Sequence, residues 1–284
     1  MKKIKISKNY LALVPFAAVI LTYEIIPLTD LVIDGFRSSE GGSFTLSNYT
    51  GIFSSLLYRT AIWNSVRISL VSAAVGIGIS CIGAKCYYDC SEKTQDIFMM
   101  ILNMTSNFSG VPLAFAFMLL MGNTGVITLA GKRCGIDFLG DFNLYSGNGL
   151  MLIYIFFQIP LATLLMIPAF LKLKKEWKEA ALIMKAGRLQ YWVRIGIPNM
   201  LPGIMGTFSV LFANAMAAYA TAYALVLNNY ALLALQISSK FKGDVHIDKQ
   251  TGGALATVMI MLMAAATLLN DYFTKKNSGG IEGI

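Results

Sequence analysis

The residues able to support catalysis or metal binding are few and widely separated along the chain. The only histidine is His246, and the four cysteines are Cys81, Cys86, Cys90 and Cys134. Cys86 and Cys90 are one helical turn apart, but a metal site there needs further ligands, and His246 is far away in the sequence. The cysteines do not suggest a disulfide framework. We therefore expect no metal site, no catalytic residue and no cofactor.

A phosphate-binding loop is also missing from the sequence. The pattern G-x-x-x-x-G-K-[ST] does not occur. The segment nearest to it, GVITLAGKR at 125–133, has one residue too many between its glycines and Arg133 in place of Ser or Thr. The chain is therefore not expected to be an enzyme, and any ATP hydrolysis is expected in a partner subunit.

The composition is that of an integral membrane protein. Hydrophobic residues make up 56% of the chain and charged residues 13%, against roughly 25% charged residues in an ordinary soluble domain. The mean hydropathy is +0.62. The net charge of +8 does not indicate nucleic acid, because the basic residues lie in loops at the ends of apolar segments. We expect contact with membrane lipid and none with nucleic acid.

Six apolar segments are long enough to cross a bilayer, which takes about 20 residues. They are Leu11–Ile33, Val66–Ala84, Ile97–Met121, Leu150–Leu171, Ile204–Leu227 and Gly252–Leu269. The first follows a lysine-rich start, as in a signal peptide, but its apolar run is longer than a signal peptide's, so we interpret it as a retained span. The pattern predicts an all-α membrane protein with six transmembrane helices.

The first span also contains Glu24, the only acidic residue well inside an apolar segment. A carboxylate inside a membrane is a candidate for function. Two roles are open for it, binding of a cationic solute or pairing within the helix bundle.

The distribution of Lys and Arg predicts the orientation in the membrane. With six spans, both termini lie on the same side. If that side is the cytoplasm, 15 of the 23 Lys and Arg residues are inside, as the positive-inside rule requires. Both termini and the polar segment 172–202 are then cytoplasmic.

That polar segment predicts two short helices outside the bilayer. Its first half favours helix and is rich in Lys, Glu, Ala and Leu, with Gly187 placed to end the helix. The following run, 190–197, leads to Pro198, which limits how a helix can continue. One interpretation is a docking surface for another protein, and the other is a basic amphipathic loop at the lipid surface.

The residue order of this segment resembles the EAA loop of binding-protein-dependent ABC importer permeases. The residues that carry the resemblance, and that it implies for coupling to an ATPase, are Glu179, Ala180, Ala181, Gly187, Ile195 and Pro198. Two positions depart from the pattern, since Lys185 stands where the family often has glycine and Ile197 where it usually has leucine. Three further segments, 107–115 (NFSGVPLAF), 156–161 (FFQIPL) and 212–221 (FANAMAAYAT), are similar to the spermidine/putrescine-type branch.

The resemblance implies a type I ABC importer permease fold with a cytoplasmic two-helix coupling loop. Such a chain forms half of the translocation pathway for a small, polyamine-like solute in a bacterial cell (inner or plasma) membrane. Its implied partners are two copies of an ABC ATPase subunit, a second permease subunit that is a paralogue, and an extracytoplasmic solute-binding protein. The implied divisions are 1–63, a core at 64–275 with the coupling loop at 172–202, and a cytoplasmic tail at 276–284.

Polar groups and helix breakers inside the spans predict the solute path. Irregular backbone in a membrane is tolerated where protein or water satisfies its polar groups, and GVP at 110–112 and Pro160 are such interruptions. The residues assigned to the path are Asn107, Gly110, Pro112, Gln158, Asn214 and Tyr219. The alternative is that they serve helix packing and hydrogen bonding between spans.

The alternative function for the whole protein is an ion- or proton-coupled secondary transporter. That class typically shows internal repeats, and the two halves of this sequence show no convincing repeat.

Overall fold

The computed structural model describes residues 8–38, 42–242 and 247–278. His246 and the lysines before Lys8 lie outside the described residues. Within these ranges the backbone is helical, with one isolated bridge between Arg37 and Phe44 and no strand. The α-helices are α1 Lys8–Ile20, α2 Ile26–Gly35, α3 Ser47–Ser54, α4 Leu56–Asp89, α5 Glu92–Ser106, α6 Val111–Met121, α7 Val126–Cys134, α8 Asp137–Gly140, α9 Gly147–Leu171, α10 Lys175–Ile183, α11 Arg188–Tyr191, α12 Ile197–Ala217, α13 Tyr219–Val226, α14 Leu233–Phe241 and α15 Lys249–Ser278.

Six helical stretches in the described part of the chain are long and apolar enough to cross a membrane. They are Val14–Gly35, Leu56–Asp89, Val111–Cys134, Gly147–Leu171, Arg188–Ala217 and Lys249–Tyr272. The predicted fold class, an all-α membrane protein with six spans, is thereby confirmed.

The predicted third span, Ile97–Met121, is wrong as a single helix. Its first part belongs to α5 and its second part to α6, and the chain turns between Ser106 and Val111. The candidate span in this region is instead Val111–Cys134. Apolar composition continues across the turn, so hydropathy alone does not reveal it. The physical cause is Gly110, whose φ of 74° and ψ of −145° are accessible at low cost to glycine alone.

The fifth span also differs from its predicted bounds of Ile204–Leu227. The helical run begins at Arg188, continues through a π-helical turn at Trp192–Gly196, and ends at Ala217. Pro198 does not end this run. It is the second residue of α12, just after the π turn ends at Gly196, and a π turn is a place where the helical hydrogen-bond pattern is already rearranged. Pro27 follows the other π turn, Leu21–Ile25, in the same way.

One compact unit consists of the chain up to Arg59 together with Gln236–Ile260. In it α2 lies close to the start of α15, because Gly35 and Gly253 have no side chain to separate the two backbones. A Cβ on Gly35 would lie 2.8 Å from the Ala254 nitrogen. At the same start of α15, Asp248 caps the helix by accepting from the Thr251 N–H at 3.0 Å, and it pairs with Lys240 at 3.2 Å.

The other unit consists of Thr60–Leu235 together with the chain from Met261 onward. Its central element is α9, which packs against α5 and α12. This helix continues without a break through Pro160, so the interruption predicted there is wrong. Two clusters of buried side chains surround α9, one near Ile153 and Tyr154 and one near Met166 and Phe170. The helix α12 approaches α9 closely at Gly203, where an added Cβ would lie 2.7 Å from the Ala169 Cβ.

Candidate functional site

The loop between α9 and α12 is built around α10 and a turn that ends it. The Ala186 N–H donates to the Ala181 carbonyl at 2.9 Å, and the Lys185 N–H donates to the Leu182 carbonyl at 2.9 Å. Lys185 has a positive φ of 54°. These two bonds around one left-handed residue form a Schellman motif, the usual way a helix ends on glycine. The first loop helix therefore ends at Ile183, with the turn two residues before Gly187.

Gly187 does not have the role that the sequence predicted for it. Its φ of −67° and ψ of 158° are ordinary extended values, and a Cβ placed on it would meet no atom within 4 Å. Lys185, at the position that departs from the family pattern, takes the left-handed conformation instead. Neither the backbone nor the packing of this chain requires glycine at 187.

The residues predicted to couple to an ATPase are mostly accessible on this loop. Glu179 and Ala180 on α10 are exposed, and so are Gly187 and Pro198. Ala181 is buried, with 2% of its surface exposed, and Ile195 is half-buried. Of the predicted two short helices outside the bilayer, α10 is present as a separate helix. The four-residue α11 is instead the start of the fifth candidate span and runs through the π turn into α12. A rigid displacement of α11 would therefore be passed directly to a membrane helix.

A second site is formed where the helical backbone is interrupted at two places, each next to the end of a candidate span. The first interruption is at Gly110, between α5 and α6. The second is at Ala218, between α12 and α13, where φ of −72° and ψ of 73° match an inverse γ-turn. The Tyr154 hydroxyl donates to the Ala218 carbonyl at 2.6 Å, which satisfies a backbone oxygen that the broken helix leaves free.

The two interruptions lie on one cavity of about 420 Å³. The residues that line it are Ser106, Ser109, Gly110, Phe157, Leu161, Asn214, Ala217, Ala218, Tyr219, Ala220 and Thr221. Three predicted path residues, Gly110, Asn214 and Tyr219, are brought together here. The rings of Tyr219 and Tyr223 stack with centroids 5.3 Å apart. The described lining contains hydroxyl, amide and aromatic groups and no carboxylate or basic side chain.

The other three predicted path residues do not line this cavity. Asn107 and Pro112 flank the Gly110 break, and Asn107 donates to the Asn103 carbonyl at 2.7 Å. Gln158 is fully buried, and its amide donates to the Ser72 hydroxyl at 2.6 Å. Gln158 therefore joins α9 to α4, as expected for an amide that bonds neighbouring helices.

Sequence reasoning missed several residues of this site. Ser106 and Ser109 precede the Gly110 break, and their nearness to a glycine–proline pair was the available signal. No sequence signal marked the break at Ala218, because alanine is a good helix former. The carbonyl of Ala218 is bonded by the hydroxyl of Tyr154, which is far away in the sequence.

Six candidate spans, a polar cavity where two helical runs are interrupted and an exposed helical loop are typical of a membrane transport protein. The family comparison agrees, since residues 74–278 match the model of the binding-protein-dependent transport system inner membrane component. The chain belongs to this family and is a permease subunit of an ABC importer. The family consists of transport permeases, which disfavours an ion-coupled secondary transporter.

Individual relatives are distant but extend over most of the chain. The chain is 21% identical over 255 residues to a probable sulfate transport system permease protein of Helicosporidium sp. subsp. Simulium jonesii, covering 88% of this chain and 90% of the relative. It is 26% identical over 231 residues to the homologue of a spermidine/putrescine permease in Mycoplasma genitalium, covering 80% and 77%.

Among solved structures, a bacterial alginate ABC transporter in complex with its pentasaccharide-bound periplasmic protein matches with a TM-score of 0.75. The identity is 15%, and the match covers 94% of each chain. This likeness shows the fold.

Proposed function

We propose that this chain forms half of a translocation pathway and is driven by a separate ATPase that docks on the loop 179–198. The observation that carries the proposal is the continuity of α11 with α12 through the π turn, directly beside the exposed α10. A partner that moves the loop thereby moves a span that lines the polar cavity through Asn214.

The assembly proposed around this chain follows from its family. It contains two ATPase copies, a second permease that is a paralogue, and an extracytoplasmic solute-binding protein. The periplasmic protein named with the alginate transporter structure supports the last of these. The orientation with both termini in the cytoplasm stays a prediction based on the positive-inside rule. The boundaries 1–63, 64–275 and 276–284 also stay a prediction, and residues 279–284 lie outside the described part of the chain.

For the solute we propose a small polar molecule, with polyamines the first class to test. The relatives are named for both sulfate and polyamines, so they do not single out one solute. The Tyr219 ring, which lines the cavity and stacks on Tyr223, suits a cation, but the described lining has no carboxylate to pair with one. Uptake of spermidine and of sulfate by the whole complex separates the two classes directly.

Docking of the ATPase on α10 is tested by cysteine crosslinking. In a background with the four native cysteines replaced by serine, Ala180→Cys is expected to crosslink to the neighbouring ATPase subunit. The matched control is Phe138→Cys, since Phe138 is also exposed, with 79% of its surface accessible, and is predicted on the opposite side of the membrane. Equal crosslinking at both positions, or none at Ala180→Cys in an assembled complex, would contradict the proposal.

A further inference from the structure

A second cavity, of about 440 Å³, lies between α10 and the ends of three membrane helices. Its lining includes four basic side chains, Lys85, Lys174, Lys178 and Arg188, and the apolar side chains of Phe170 and Leu173. The candidate span of α4 ends at Asp89, that of α9 ends at Leu171, and the next begins at Arg188. The cavity is therefore at the level where these spans leave the hydrocarbon, which is the level of lipid headgroups.

Positive charge from three separate elements converges on this cavity. Lys85 comes from α4, Lys174 from the position just before α10, Lys178 from α10 and Arg188 from α11, and Asp89 is the one carboxylate among the described lining residues. Among the residues that the structure describes, the ion pairs are Arg37 with Asp34 and Lys240 with Asp248, and none involves the four cations of the cavity. Their charge is thus left without an ion-pair partner inside the described chain.

Two of these cations lie over aromatic rings at cation–π distance. The Lys85 ammonium lies 5.6 Å from the centroid of the Trp192 ring, and the Lys174 ammonium lies 6.0 Å from that of Trp177. Tyr88, near the end of α4, donates a long hydrogen bond from its hydroxyl to the Leu173 carbonyl at 3.5 Å. Tryptophan and tyrosine beside basic side chains are the groups that membrane proteins place at the headgroup layer.

We propose that this cavity binds a phosphate-bearing anion, supplied in the membrane by the headgroup of an anionic phospholipid. Clustered lysine and arginine between spans at a membrane surface recognise such headgroups, and Arg188 can form paired hydrogen bonds with phosphate oxygens. The apolar side of the cavity, at Phe170 and Leu173, accommodates the first carbons of the lipid. This inference concerns binding by the chain alone and does not depend on docking of an ATPase.

Native mass spectrometry of the full-length chain, titrated with phosphatidylglycerol or phosphatidylcholine, tests the site. The double variant Lys85→Gln/Lys178→Gln is expected to bind phosphatidylglycerol about tenfold more weakly than wild type, because each basic residue near an anionic lipid contributes severalfold to affinity. The matched control is Lys172→Gln/Arg194→Gln, which removes the same amount of charge at two residues that do not line the cavity. It is expected to bind like wild type, and phosphatidylcholine is expected to bind weakly to all three.

The conservative variant Lys85→Arg/Lys178→Arg guards against misfolding and is expected to bind phosphatidylglycerol like wild type. An arm with inorganic phosphate distinguishes the source of the anion. Competition by millimolar phosphate means that the cavity accepts a soluble phosphate compound as well, whereas no competition means that it requires the lipid. Equal retention of the two lipids by wild type, or an equal loss in the cavity and control variants, would overturn the proposal.

Discussion

A lysine ends α10 in a backbone conformation that glycine adopts at much lower cost. Lys185 has a φ of 54° and donates one bond of the Schellman motif, while the Ala186 N–H donates the other. For a residue with a Cβ, the left-handed conformation costs roughly 1–2 kcal/mol. The position at which this chain departs from the family pattern is thus a position of local strain in the proposed docking surface.

Replacing Lys185 with glycine should therefore stabilise the loop. We expect a gain of about 0.5–1 kcal/mol, since relief of strain is partly offset by the greater freedom of glycine in the unfolded chain. The measurement is hydrogen exchange of the α10 amides, which should slow in Lys185→Gly. Gly187→Ala is the control and should leave exchange unchanged, because its backbone is extended and its Cβ meets no atom. Faster exchange in Lys185→Gly would show that the turn is closed differently.

The packing of α12 on α9 requires glycine at position 203 but not at position 206. A Cβ at Gly203 would lie 2.7 Å from the Ala169 Cβ, whereas a Cβ at Gly206, one turn later on the same helix, would meet nothing within 4 Å. The two positions have the same residue type on one helix, so they separate packing from helix propensity.

The two alanine substitutions should therefore change stability in opposite directions. Gly203→Ala is expected to destabilise the chain by about 1–2 kcal/mol, because overpacking outweighs the better helix propensity of alanine. Gly206→Ala is expected to stabilise it by about 0.5–1 kcal/mol through propensity alone. Thermal unfolding of the purified chain in detergent measures both. A destabilised Gly206→Ala would contradict the described packing of α12.

The start of α15 carries a pH-dependent contribution to stability. Burial raises the pKa of Asp248, but hydrogen bonds from Thr251 and from the Lys240 ammonium outweigh it, so the pKa lies below its ordinary value. Burial lowers the pKa of Lys240, and its hydrogen bonds and charge interactions with Tyr58 and Asp248 outweigh that, so it is raised. Both shifts favour the charged pair in the folded state.

Because the folded-state pKa of Asp248 is depressed, its contribution is fully present above the ordinary carboxyl pKa and is lost as pH falls through the folded value. Asp248→Asn keeps a capping side chain and should cost well under 1 kcal/mol near pH 7, since the pair is partly exposed. Asp248→Ala also loses the cap and should cost about 1 kcal/mol more. Melting temperatures of the two variants and of wild type between pH 7 and pH 3 test this. If the difference in melting temperature between wild type and Asp248→Asn grows toward pH 3, the proposed contribution of the Asp248 carboxylate is wrong.

The whole architecture was largely predictable because a bilayer imposes long apolar helices. The break at Gly110 was also predictable, since glycine followed closely by proline marks an interruption. The break at Ala218 was not, because it is fixed by a hydroxyl from α9. Gln158 was assigned to the path from its polarity alone, and only the packed structure shows that its amide nitrogen donates to Ser72 on α4. The basic cavity likewise combines Lys85 with loop residues about 90 positions later in the sequence.

The central claim is that the loop 179–198 transmits the work of a separate ATPase to the membrane helices. The most direct test is solute-stimulated ATP hydrolysis by the complete reconstituted transporter, comparing wild type with Glu179→Ala and Gly187→Asp. Both substitutions are at exposed positions, and a side chain at 187 meets no atom of this chain, so neither should disturb the fold. We expect both variants to be present in the membrane and to lose stimulated hydrolysis together with uptake. Wild-type hydrolysis and uptake in both variants, or uptake by wild type without ATP, would contradict the claim.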